Sequence, residues 1–581
     1  MRSVCLVAAL AVACTPSPPQ VATHPVPPPV APITPPPAPI HTLTIIGTND
    51  LHGALDRLPL FGGYVANVRA ARAADGGGLV LVDGGDLFQG TLESNLAEGA
   101  DVIRAYNQLG YAASAIGNHE FDFGPVGPAV IAKAEEDPRG ALKARAAEAT
   151  FPFLVTNILD TQTGQRVAWP NMPPSRMLDV AGVKVGILGA STTATPYTTM
   201  PANFAGLEMA KPTSKVVVAE AQALRDRGAQ VVILAMHIGS ECGNNEQPAD
   251  ISTCDEHQEL FDVLRDVPKG LIDVVVAGHT HAPIAHVIDG IAVIESYSSG
   301  RAFGRVDLSL AKGHITEVKI HKPEVMCALD KDENPQAVHD CHPADYEGRP
   351  VVSDPAVQRI VDDAMARTAA KRDEKLGVAL AGPITKSYKY ESVEGNWFTD
   401  LMLAAQPGAN VALTNGGGLR ADIPAGALTY GELFQAMPFD NRFATVKLDG
   451  KHLRRLVREN LRRDGGFFSF GGLTAVARCK DGKLDLAIKV AGKPLADQAH
   501  YTLVTSDFLA SGGDGVIGKL DLPAGAITVS DTIMREGMAD VLRKQRGKTI
   551  DPKTLFDRQH RRIDFEGKRP VKCTGASSED D

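Results

Sequence analysis

Aspartate, histidine and asparagine residues recur in this sequence just past short apolar runs. The run TLTIIG leads into TNDLHG, with Asp50 and His52, and LVLV leads into DGGD, with Asp86. Further on, GNHEFD supplies Asn118, His119 and Asp122, AMHIG supplies His237, and GHTH supplies His279 and His281. Singly, an Asp after a strand is more often a helix cap and a His more often a satisfied polar side chain. Five such sites in series read differently, because the ends of strands in α/β sheets are where ligands collect. Their mixture of carboxylate, imidazole and amide suits two divalent ions such as Zn, Mn, Co or Fe, and one shared carboxylate can bridge ions about 3.5 to 4 Å apart. The chemistry such a pair serves is attack on a phosphoester: cations neutralise the negative oxygens that repel hydroxide and lower the pKa of water.

The elements that must position these residues are legible in outline. HTLTIIG, GLVLVDGG, AQVVILAMHIG and LIDVVVAGHTH each read as a buried strand followed by a glycine-bearing turn. Helical patterns at residues 101–109 and 216–227 lie between them, so this half reads as α/β with sheets covered by helices. IAVIESY and FGRVDLSL read as later strands closing the domain near residue 320. Residues 321–350 carry little periodicity, and residues 354–375 read as a polar connecting helix. A second unit spans about 381–565, with ANVALTN and YTLVTSDF as strands.

Three motifs in that second unit extend the pattern: TNGGGLRADIPAG with Asn415 and Arg420, MPFDN with Phe439, and FLASGGDG with Phe508 and Asp514. The order DxH, GD, GNHE, H and GHxH resembles the calcineurin-like metallophosphoesterases. With the later motifs, the chain from residue 41 to about 565 resembles the 5′-nucleotidase and UDP-sugar hydrolase family. The resemblance implies an α/β (α+β) fold: a four-layer βαβα-sandwich metallophosphoesterase domain at 41–350, a helical linker at 351–380 and a 5′-nucleotidase-type α/β substrate-binding domain at 381–568.

The same resemblance implies a role for each residue. One metal falls to Asp50, His52, Asp86 and His281, and a second to Asp86, Asn118, His237 and His279, with Asp86 as the bridge. His281 stands where many bacterial relatives carry Gln. His119 and Asp122 correspond to the catalytic dyad, with an imidazolium stabilising phosphoryl or leaving-group charge while Asp122 orients the ring. Arg420 and Asn415 correspond to phosphate and polar contacts, Phe439 and Phe508 to the clamp on the base, and Asp514 to the ribose-hydroxyl acceptor. One departure is that ITKSYKYESVEGN offers Lys386 and Lys389 where relatives place arginine, supplying charge without the bidentate fork.

The first 14 residues read as a processing signal: Arg2, an apolar run over 4–13, and Ala11-Val12-Ala13-Cys14, which resembles a bacterial lipobox. Two outcomes stay open, lipidation of Cys14 or ordinary cleavage nearby; both place the chain outside the cytoplasm. Residues 15–40 form a proline-rich spacer that would reach roughly 80 Å if fully extended at about 3.1 Å per residue. Residues 569–581 read as a tail. Six further cysteines permit 15 connectivities. The short separations favour Cys242 with Cys254 and Cys327 with Cys341, leaving Cys479 with Cys573.

Of the 581 residues, 44% are hydrophobic and 22% charged, ordinary values for a globular chain, and the formal net charge is −10. That charge disfavours polymeric nucleic acid, which proteins grip with clustered Lys and Arg. The expected partner is a small nucleotide, with the membrane reached only through an N-terminal lipid. Nucleoside 5′-phosphates head the expected substrates, with UDP-sugars and nucleoside di- and triphosphates behind them. A 2′,3′-cyclic-nucleotide phosphodiesterase or a thiosulfohydrolase is the alternative within the family, and a non-catalytic nucleotide-binding lipoprotein the alternative of another class. The last requires a lost ligand or His119, and none is missing.

Overall fold

The computed structural model describes Met1 and residues 41–327 and 340–573. The processing signal, Cys14, the proline-rich spacer and residues 574–581 lie outside the described residues. From residue 41 onward the described chain forms one compact unit.

Two six-stranded sheets organise the first half. One runs in the order His314–Val325, Ala302–Ala311, His41–Thr48, Gly78–Asp83, Ala113–Ala115 and Phe153–Leu154; the other runs Ile284–Ile288, Ile291–Glu295, Val274–Val276, Val231–His237, Val183–Ser191 and Ser175–Val180. The inner strands are apolar on both faces, as parallel strands covered on both sides must be. Leu43, Ile45, Val80 and Val82 of the first sheet share a core with Ile187, Ile233, Val276 and Ile294 of the second. Helices Leu58–Asp75, Ala100–Leu109 and Pro355–Arg372 cover the outer face of the first sheet. Helices Thr213–Asp226 and Glu259–Leu264 cover the second. The four layers therefore stack helix, sheet, sheet, helix, and the sheets meet each other directly instead of alternating with helices.

Register is what gathers the site. Thr48 pairs with Asp83, and Asp83 with Ser114, in parallel ladders, so three strands end flush and their following turns lie side by side. In the second sheet Ser191 pairs with His237 and Ala235 with Val276, which brings a second set of turns to the same rim.

Three local features differ from the sequence reading. The strand His314–Val325 runs past residue 320; its outer face is exposed and charged, which hides its period. The connecting helix is Pro355–Arg372, started by Asp354, whose carboxylate accepts from Ala356 N and Val357 N at 2.8 and 3.1 Å, and Lys375 already opens the next strand. Within the expected tail, Val571 N donates to Leu461 O at 2.8 Å and Cys573 bonds Cys479, so residues 569–573 are tied down. The other two disulfides join Cys242 to Cys254 and Cys327 to Cys341.

The second half is built on a five-stranded sheet in the order Phe468–Gly471, Val411–Asn415, His500–Ser506, Arg442–Asp449 and Ile527–Ile533. Asn415 is the last residue of its strand, and the turn Gly416–Gly418 follows it directly. Among the described residues no helix is long and apolar enough to cross a membrane.

Candidate metal centre and substrate cleft

The turns at residues 49–53 and 84–87 hold each other. Asp50 N donates to Gly85 O at 2.9 Å, His52 N to Asp86 O at 3.0 Å and Gly53 N to Leu87 O at 2.8 Å. Five of the seven expected metal ligands sit at positive φ: Asp50 at 50°, His52 at 49°, Asp86 at 60°, His279 at 82° and His281 at 58°. Non-glycine residues rarely adopt that conformation, and where it clusters it is imposed by a site that fixes the side chains. Gly117 serves the same end, because a Cβ there would lie 2.1 Å from Asp86 Oδ1.

Two groups of side chains result. In the first, His281 Nε2 lies 3.2 Å from Asp50 Oδ1 and 3.0 Å from His52 Nε2. In the second, His237 Nε2 lies 3.0 Å from Asp86 Oδ2, 3.1 Å from Asn118 Oδ1 and 3.2 Å from His279 Nδ1. Asp86 stands between them, with Oδ2 also 4.0 Å from His52 Nε2. Backbone carbonyls fix the tautomers: His52 Nδ1 donates to Gln89 O and His237 Nδ1 to Gly84 O, each at 3.0 Å. The Nε2 lone pairs therefore point into the cluster. Asp50 Oδ1 is buried and has no hydrogen-bond partner. A buried carboxylate oxygen left without a partner beside inward-facing imidazole lone pairs fits divalent cations.

The electrostatics agree with that fit. Burial pushes Asp86 up, but His237 and His119 outweigh it and hold its carboxyl well below the usual range. Burial also works against charge on His237, yet Asp86 and Asp50 raise it to about 10. The two carboxylates thus favour positive charge at the position of His237, the charge that a divalent cation there would supply. His279 falls to about 3 through burial and the neighbouring His237, leaving it neutral and able to ligate.

His119 stands beside this cluster. Its Nδ1 lies 2.5 Å from Asp122 Oδ2, and its backbone N–H donates to Asp86 Oδ1 at 2.9 Å. Burial disfavours its charged form, but Asp122 and Asp86 face it and raise its pKa on balance. The second half closes the cleft. Arg420 Nη2 is 3.0 Å from His52 Nε2. The Phe439 ring lies 5.6 Å from that of His119 and 5.8 Å from the Arg420 guanidinium. Asn415 Nδ2 donates to Asp514 Oδ2 at 2.9 Å, and Phe508 packs against Gly513 in the adjoining turn.

Comparison with known proteins accords with this arrangement. The family model for calcineurin-like phosphoesterases matches residues 43–283, and that for the 5′-nucleotidase C-terminal domain matches residues 368–520. The chain belongs to the calcineurin-like phosphoesterases with a 5′-nucleotidase C-terminal domain. Protein UshA of Yersinia enterocolitica is 27% identical over 511 residues, covering 82% of this chain and 86% of that protein. A 5′-nucleotidase of Vibrio cholerae is 24% identical over 523 residues, covering 83% and 87%. The crystal structure of a 5′-nucleotidase precursor from Thermus thermophilus superposes with a TM-score of 0.69 at 22% identity, covering 90% of this chain and 99% of that one, which is a likeness of fold.

Within this phosphoesterase all the singled-out residues of the first half meet at one rim, and Arg420 and Phe439 reach it from the second. Asn415, Asp514 and Phe508 gather around the turn Gly513–Gly515. The two lysines do not act alike. Lys389 Nζ turns to Glu241, 3.6 Å away beside the Cys242–Cys254 loop, whereas Lys386, its backbone N–H on Asp422 Oδ1, is near enough to Arg420 for that charge to add to burial in lowering its pKa.

Two supporting residues were missed by the sequence reading although both lie inside quoted motifs. Glu120, of GNHE, accepts from the backbone N–H groups of Asp86, Leu87 and Gly117 at 2.7 to 2.9 Å, tying two ligand turns together. Asn49, of TND, donates to Asp50 Oδ2 at 2.7 Å and accepts from Ser296 N at 2.8 Å. Neither has a residue type that singles it out, and only the three-dimensional neighbours do.

Proposed function

We propose that this protein is a dimetal phosphohydrolase acting outside the cytoplasm on nucleoside 5′-phosphates, with UDP-sugars and nucleoside di- and triphosphates as further substrates. The observation that carries the reading is the meeting of the two halves: Arg420 touches His52, and Phe439 lies over His119. Asp50, His52, Asp86 and His281 would hold one divalent ion and Asp86, Asn118, His237 and His279 the other. Such ions, when bound, supply Lewis acidity to the phosphoryl oxygens and to water.

The protein's own groups do the rest. Asp122 Oδ2 accepts the hydrogen bond from Nδ1–H of His119, which leaves Nε2 to face the phosphoryl group or the leaving oxygen and to donate to it as charge develops. Arg420 adds a fixed cation on the substrate side. Asn415 and Asp514 form a donor–acceptor pair suited to ribose hydroxyls. Phe439 and Phe508 are only partly buried, and neither is among the fully buried phenylalanines of the cores, so their faces remain available to a base. Three disulfides suit an oxidising compartment, and a lipid on Cys14 would tether the enzyme there.

Phosphate release from a panel of nucleotides, with Mn, Zn, Co and Mg each added to metal-stripped protein, tests the reading. The sharper test is the clamp. If Phe439 and Phe508 sandwich the base, each stack contributes about 1 to 3 kcal/mol. Either Phe→Ala change then lowers kcat/KM toward nucleotides by roughly 5- to 150-fold, while a phosphoester without a base loses little. Equal losses on both substrates would make the two rings structural and remove the basis for nucleotide selectivity.

A further inference from the structure

The dyad has a third member that its sequence neighbourhood does not contain. Thr199 is buried at 1% exposure, and its hydroxyl donates to Asp122 Oδ1 at 2.8 Å, the carboxylate oxygen that His119 leaves free. Its neighbour Thr198 accepts from Asn118 Nδ2 through its carbonyl at 3.1 Å. Consecutive residues thus meet both the general-acid pair and an expected metal ligand.

The segment that carries them is pinned at its other end. Thr192 Oγ1 donates to Glu259 Oε2 at 2.5 Å and Thr193 N to Glu259 Oε1 at 2.9 Å, so one carboxylate at the start of a helix holds the beginning of the segment. Its middle, the short helix Thr195–Thr198, lies against the turn Gly513–Gly515, with Cα atoms within 8 Å. That turn contains Asp514. Residues 192–199 therefore run from Glu259, past the ribose side of the cleft, to the back of the dyad.

We infer that Thr199 is a positioning residue for the His119–Asp122 dyad, fixing the Asp122 carboxylate so that its other oxygen aims at His119 Nδ1. The chemistry is that of an outer hydrogen bond: an anchored carboxylate holds the imidazole at one orientation, and a carboxylate free to rotate does not. Thr199 touches no substrate in this assignment, so its effect passes entirely through Asp122. The inference rests on the phosphohydrolase reading above, and its test is read on an ester that needs no base recognition.

The full-length protein is loaded with Mn and assayed on 4-nitrophenyl phosphate and on adenosine 5′-monophosphate. Thr199→Val, nearly isosteric but without the hydroxyl, is expected to lower kcat on both esters by about 10- to 100-fold, the usual cost of losing such a supporting bond. KM and bound metal should stay near wild type. Thr199→Ser keeps the hydroxyl and should recover most of the rate. In an Asp122→Asn background the Thr199→Val change should add nothing further, since the two act as one unit. A serine variant as slow as the valine one, a full additional loss in the Asp122→Asn background, or a rise in KM with kcat retained would overturn the assignment. Because 4-nitrophenyl phosphate lacks a base, failure of the nucleotide reading would show in the nucleotide assay alone and leave the Thr199 comparison legible.

Discussion

Asp86→Asn is expected to abolish phosphate release and to reduce bound metal below two equivalents, while the second half of the chain stays folded. The substitution changes little besides charge. Asp86 Oδ1 accepts the His119 backbone N–H, and an amide oxygen can do the same. Oδ2 faces His237 Nε2 at 3.0 Å and His52 Nε2 at 4.0 Å, one residue from each ligand group. With an amide NH2 in that place, a donor meets the imidazole lone pair, and the turn is satisfied without any cation. If Asp86 serves both ions as proposed, the change removes a shared ligand from both at once, which no other single substitution among the proposed ligands would do. Elemental analysis of the purified variant and circular dichroism beside the wild type measure the two halves of the expectation. Two retained equivalents of metal would take Asp86 out of the bridging position.

How much of this was readable in the residues follows from how local each signal is. The ligand turns were legible because each lies directly behind an apolar run, and a buried parallel strand fixes where the next few residues go. Thr48, Asp83 and Ser114 show why: once paired, they bring their turns to one rim without further instruction. The helix Leu58–Asp75 was not identified because Gly62 and Gly63 interrupt its pattern. Those glycines answer to a distant segment, since a Cβ on Gly63 would lie 2.4 Å from Val352 O and one on Gly62 2.7 Å from Asp354 Cβ.

The same distinction separates the parts of the cleft. The identities of Arg420, Phe439 and Phe508 were available from their motifs, but the 3.0 Å approach of Arg420 to His52 joins residues 368 apart in the chain, and no periodicity encodes it. Thr199 lies further still from any signal, a threonine among threonines in STTATPYTT, distinguished only by the carboxylate it meets. Glu120 was in view but unassigned. Its carboxyl, pushed up to about 8 by burial and by Asp86, accepts three backbone N–H groups, a role that sequence spacing does not express.

His119→Asn separates catalysis from binding, and its expected result is a kcat lowered by about 10² to 10⁴ with both metals kept and substrate affinity nearly unchanged. The reasoning begins with what the variant preserves. The His119 backbone N–H on Asp86 Oδ1 is independent of the side chain, so the metal turn keeps its hydrogen bond. The ring's hydrogen bond goes to Asp122 and not to a candidate metal ligand; it lies 5.4 Å from the His52 ring, centroid to centroid, and 5.6 Å from Phe439. An asparagine amide can still reach toward Asp122, which otherwise would lose its partner. What disappears is a group that holds a proton: Asp122 and Asp86 raise the pKa of His119 against the pull of burial, and an amide has no such proton to offer a leaving oxygen. That contribution exists only as charge develops, so it belongs to kcat and not to KM. Metal content, KM and kcat measured on one preparation distinguish the cases. A rise in KM with kcat intact would make His119 a binding residue, and an undiminished kcat would leave it as a structural support for the turn that carries Asn118.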